Sequence, residues 1–85
     1  MRSVHLFLRH KWFDLIASGH KKVEHRNITE RWWKILVEKQ PDEIVFHRGY
    51  TSTTVAKLVV SVDLGPDTDP GPGFGTGEYI RIHLA

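Results

Sequence analysis

The chain has 85 residues and a mass of 9.8 kDa, which leaves room for one core and excludes a second domain, because a chain this short hides only about 60 to 65% of its unfolded surface on folding. Cysteine is absent, so a disulfide framework and a thiolate metal cage are excluded, while 40% hydrophobic residues, with three Trp, four Phe and two Tyr, supply an ordinary apolar core. The net charge of +2 hides an asymmetry: residues 1–39 hold nine Lys/Arg against four Asp/Glu, and residues 40–85 hold three against six, so a +5 half is joined to a −3 half. Charge gathered in this way suits a phosphate-bearing partner; it serves equally as solubility charge on a small domain. No apolar run approaches the length of about 18 residues that spans a bilayer, and charges come too early for a signal peptide. The expected compartment is the cytoplasm, without membrane contact.

In chain order, Val4, Leu6 and Leu8 alternate on one face of a predicted strand over 4–9. Trp12, Leu15 and Ile16 fall at helical spacing and predict a helix over 11–18, closed by Gly19 at positive φ. Lys22, Glu24 and Arg26 then alternate with Val23 and His25, which predicts a strand over 21–26 with one charged face. Asn27 with Glu30 three residues on, or Thr29 alone, caps a second helix over 29–39. Trp32, Trp33, Ile35, Leu36 and Val37 cover an arc of about 200° on that helix, more than one core-facing stripe requires. Either the helix packs on two sides, or one Trp rims a cleft where a planar base stacks. After the turn at Pro41-Asp42, strands are predicted over 43–48, 53–63 and 78–84, the last with Ile80, Ile82 and Leu84 alternating against Tyr79, Arg81 and His83.

Residues 65–77 contain eight Gly or Pro among thirteen, a composition that holds neither helix nor ladder and predicts a loop mobile on the nanosecond scale, with Phe74 as its single apolar anchor. Its glycines lack the Gly-Lys-Ser/Thr ending and the βαβ setting of a phosphate loop. The six His include pairs five apart, His5 with His10 and His20 with His25, which match no helical metal pair, and no metal or other cofactor is expected. The Ser and Thr at 51–54 show no spacing that places a base beside a nucleophile.

The run Leu6-Phe7-Leu8, Trp12, Leu15-Ile16, Gly19-His20-Lys21, Val23-Glu24-His25-Arg26 resembles the signature of ASCH domains, small PUA-like barrels with a Leu-x-Leu strand, an aromatic-x-x-Leu-Ile helix and a Gly-x-Lys-x-x-Glu-x-Arg turn and strand. Asp42-Glu43-Ile44-Val45-Phe46 is similar to the family's turn and strand leading into the barrel, with Pro-Asp-Glu where Gly-Asp is usual. Beyond Tyr50 only the strand pattern matches. The resemblance implies an α+β fold: a single minimal domain over 1–85 that forms a PUA-like β-barrel of five or six strands with two helices. It also implies a cleft that binds RNA, a nucleotide or a modified nucleoside.

Lys21 and Arg26 offer fixed positive charge to phosphate, and Glu24, two residues from Arg26 on the same strand face, can hold the guanidinium in place. Arg9, Trp33, Arg48 and Tyr50 complete the candidate binding set as further cations and aromatic walls. Some similar proteins are amidohydrolases of acetylated cytidine in which a Lys activates a Thr three residues on, and others are ribonucleases. Lys21 matches that Lys, but the Thr position holds Glu24. A catalytic role would therefore fall to Lys21 and Glu24, with Glu24 as a base whose pKa the neighbouring Lys21 and Arg26 are expected to push down. His25 and His47 are acid–base candidates by residue type.

Overall fold

A computed structural model describes residues 1–66 and 77–85. Five strands, β1 (Ser3–Leu8), β2 (Val23–Arg26), β3 (Glu43–Arg48), β4 (Thr54–Pro66) and β5 (Glu78–Leu84), form one sheet in the order β1-β3-β4-β5-β2. β1 lies parallel to β3 and every other pair is antiparallel. Helix α1 (His10–Ala17) joins β1 to β2, and a helical segment joins β2 to β3. The fold is thus α+β, a curled half-barrel with two short helices.

The curl comes from β4. Its first part, Thr54 to Leu58, pairs with β3, and its remainder, from Val59 onward, pairs with β5 across a register shift between Val59 and Ser61. An extra residue at such a point bends a strand and increases its twist. β4 runs to Pro66, beyond the predicted end at 63, because its pairing with β5 continues through Leu64–Ile80, Gly65–Tyr79 and Pro66–Glu78; the Arg81 guanidinium packs over Gly65, where a Cβ would stand 2.5 Å from its Cζ. On the outer face, Arg81 Nε and Nη2 donate to Asp63 at 2.7 and 3.0 Å, and His83 Nε2 lies 3.1 Å from the same carboxylate. The expectation of a mobile 65–77 loop, and of Phe74 at its tip, falls mainly on 67–76, outside the described residues.

Leu6 and Leu8 from β1, Ile44 and Phe46 from β3, and Ile80, Ile82 and Leu84 from β5 enclose a core closed by Phe13 and Ile16 of α1 and by Leu36. The second helix departs from expectation. It is α-helical only over Glu30–Trp32 (α2), capped by Thr29 Oγ1, which accepts from Trp32 N at 3.2 Å. It then widens into a π-helical segment over Trp33–Glu38, in which Lys39 N donates to Lys34 O, five residues back. A wider turn separates successive side chains by a smaller angle. Ile35, Leu36 and Val37 therefore all reach the core, and the broad apolar arc is mostly core packing.

α1 ends as expected. Gly19 takes φ +83°, and Ser18, Gly19 and Lys21 amides donate back to Asp14, Ile16 and Leu15 carbonyls. The last of these bonds, 3.0 Å long, ties Lys21 to the helix, so β2 begins at Val23 and not at 21.

Candidate functional site

The strand order leaves β1 and β2 at the two edges of the sheet, and a cleft of about 320 Å³ opens where a full barrel would close. It is lined by Phe7, Leu8, Arg9 and Trp12 from one side, by Lys21, Glu24, His25, Arg26 and Asn27 from the other, and by Trp32. Among the described residues no backbone ladder joins β1 to β2; instead Arg26 reaches across, donating from Nη2 to Phe7 O at 3.4 Å. The volume lies at the small end of the range of about 300 to 1,000 Å³ typical of ligand pockets, enough for one planar group.

Three of the four charged side chains in the cleft, Lys21, Glu24 and Arg26, are held by named contacts. Lys21, fixed at its backbone by α1, is only 6% exposed and lays its ammonium over the Trp12 ring, 4.7 Å from the centroid. Among the described residues that ammonium has no hydrogen-bond or ion-pair partner. Glu24, 4% exposed, accepts from the His25 amide at 2.9 Å through Oε1 and pairs with Arg26 Nη2 at 3.4 Å through Oε2. Arg26 also lies over Trp32 at 5.4 Å, and its Nε is buried without a hydrogen-bond partner among the described residues. Lys11 and Arg31 approach the same two rings, at 5.4 Å from Trp12 and 5.2 Å from Trp32. The cleft thus has two tryptophan walls, each carrying cations, with three positive lining residues against one acid.

Burial dominates the electrostatics of Glu24. Desolvation raises its pKa above the ordinary value of 4.5, outweighing the opposing pull of Arg26, of the His25 N–H and of Lys21. This corrects the expectation that the two cations would win. Arg26 makes a single 3.4 Å contact and Lys21 none, so neither restores the hydration that the carboxylate lost.

Of the residues singled out in the sequence, Arg9, Lys21, Glu24 and Arg26 line the cleft, while Trp33, Arg48 and Tyr50 do not. Trp32, on the α-helical first turn of the second helix, lines the cleft where Trp33 was expected. Arg48 is held by α1, with its Nε 3.0 Å and its Nη2 3.2 Å from the Asp14 carboxylate, which lowers the Asp14 pKa. Tyr50 sits in the turn after β3, 96% exposed, against Phe7. His25 lines the cleft, buried edge-on to Tyr79; His47 lies on the outer face. Among the described residues no three His, Asp or Glu converge in a way that would hold a metal ion, and no helix is long and apolar enough to cross a membrane.

No family model, curated protein or solved structure matches the chain.

Proposed function

We propose that this chain is a binding module for RNA or a nucleotide, of the ASCH type, and that the seam between β1 and β2 is its binding cleft. What supports the reading is the combination, within one small cleft, of Lys21, Arg26 and Arg9 with the rings of Trp12 and Trp32. A nucleotide carries both a planar face and an anion, and a cleft that offers only one of these would favour a different ligand. Arg26 Nε, buried and unpartnered among the described residues, is a donor still open to an acceptor. The tryptophan faces carry cations, so an incoming phosphate draws Lys21 or Arg26 toward itself and frees ring surface for the base.

A second reading, a small hydrolase acting on acetylated cytidine or on RNA, has one observation in its favour: Glu24 is buried with a raised pKa, as a general base working near neutrality requires. The described lining residues include no Ser, Thr or Cys. In this reading the attacking group is a water activated by Glu24, with Lys21 stabilising the developing oxyanion.

The test is titration of tryptophan fluorescence with uridine mononucleotide and with a single-stranded oligouridine over a range of salt. Affinity falls with salt, and Lys21→Met reduces the slope for the oligonucleotide by about one phosphate contact. Glu24→Gln separates the two readings. A binder keeps or gains affinity as a negative charge leaves the cleft, whereas a hydrolase loses orders of magnitude in rate on acetylcytidine or RNA. Absence of salt-dependent binding by the unmodified protein defeats the binding reading.

A further inference from the structure

The outer face of β1 and β3 carries rings that the core does not use. Phe7, 49% exposed, stacks on His47 with centroids 4.4 Å apart and planes 19° apart. Tyr50 leans on Phe7 at 5.4 Å and is otherwise open to solvent, and His5 Nδ1 lies 2.8 Å from His47 Nε2. The backbone holds this group in place: parallel register sets Phe7 beside His47, and Gly49 at φ +59° turns the chain so that Tyr50 returns over β1. Exposed large apolar rings on a small domain need a reason. Arg9 follows Phe7 by two residues, Arg48 beside His47 is neutralised by Asp14, and Glu43 lies at the far end of the face, where it accepts from Ser3 Oγ at 2.6 Å. The face is also continuous with the cleft, since Phe7 belongs to both.

We infer that Phe7, His47 and Tyr50 form a stacking platform for a second nucleotide, the neighbour of the one in the cleft, so that the ligand is single-stranded and at least two nucleotides long. The inference rests on the nucleotide reading of the cleft. A single strand suits the geometry because a base stacks on an open ring only if that face is not already covered by a neighbouring base, as it is within a duplex, and because Arg9, which lines the cleft two residues from Phe7, is a cation for the linking phosphate. Stacking of this kind tolerates any base, so the platform contributes length dependence and not sequence preference.

Tyr50→Ala and His47→Leu test the platform without entering the cleft. Each removes a planar ring from the surface, and circular dichroism and a denaturant midpoint verify that the variant is folded. Each variant weakens binding of an oligouridine of about eight residues by roughly five- to a hundred-fold, leaves uridine mononucleotide within about two-fold of wild type, and leaves the salt slope unchanged, since no phosphate contact is lost. Lys21→Met, in contrast, lowers the oligonucleotide salt slope. Equal affinity of the wild type for mononucleotide and oligonucleotide overturns the platform, as does indifference of the oligonucleotide to both ring substitutions; in either case mononucleotide binding that responds to Lys21→Met leaves the cleft reading standing. Failure of both probes to bind overturns both. Concentration-dependent self-association that Tyr50→Ala abolishes, without an effect on oligonucleotide affinity, assigns the rings to a protein contact and overturns the inference.

Discussion

Arg26 performs three tasks that one residue type alone can combine. It reaches the Phe7 carbonyl across the open seam, pairs with Glu24 and lies over the Trp32 ring. A planar guanidinium with five donors stacks and hydrogen-bonds at once, whereas an ammonium is a point charge that must choose. Arg26→Lys therefore keeps the charge and loses the geometry. We expect nucleotide affinity to fall by about ten-fold, worth about 1.4 kcal/mol, with the salt slope retained, and stability to drop by about 1 kcal/mol as the seam loses its bridge. Affinity measured at several salt concentrations, together with a urea midpoint, checks both parts. An unchanged affinity would show that the bridge is structural only. The sequence carried this residue's charge and its two-residue offset from Glu24. It did not carry the reach to Phe7, which depends on which strands end up at the sheet edges.

At the scale of elements, what could be read depended on whether a signal was local. Gly19 announced its positive φ and the end of α1 because a C-terminal glycine needs only its own turn. The cap of the second helix was narrowed to Asn27 or Thr29 by residue type, and the hydrogen bond to the Trp32 amide selects Thr29. Thr29→Ala should cost about 1 kcal/mol in a urea unfolding curve, and Asn27→Ala much less. The reverse ranking would move the cap to Asn27 and contradict the observed start. The change from α to π winding after Trp32 was not legible, since no Pro, Gly or unusual spacing marks it. It follows from the demand that Ile35, Leu36 and Val37 share one core, which appears only once the sheet is present. β2 was similar: its alternation predicted one charged face and did not show that Glu24 and His25 would both be buried, Glu24 opposite Ile82 of β5 and His25 edge-on to Tyr79.

For the whole molecule, two carboxylates set opposing pH dependences of stability. Asp63, bonded by Arg81 and His83 across β4 and β5, has its pKa lowered from 3.8 to about 2. A depressed folded-state pKa contributes stability that is present above the unfolded value and is lost as pH falls from about 4 through about 2. Glu24 runs the other way. Its raised pKa means that the folded state holds its proton more tightly than the unfolded chain, so stability declines as pH rises above the ordinary 4.5 toward the folded-state value. These two groups together favour a stability maximum at mildly acidic pH, near 4 to 5, rather than at neutrality. Urea midpoints from pH 2 to 8 for the wild type, Asp63→Asn and Glu24→Gln check this by difference. The gap between wild type and Asp63→Asn should close on the acid side, because protonation removes in the wild type what the substitution removes in the variant. Glu24→Gln should gain on the wild type as pH rises, because it keeps a neutral group where the wild type must bury a charge. Parallel profiles for wild type and Glu24→Gln between pH 5 and 8 would mean that Arg26 and Lys21 offset the burial of Glu24 fully. They would also remove the one observation that favours a general base in the cleft.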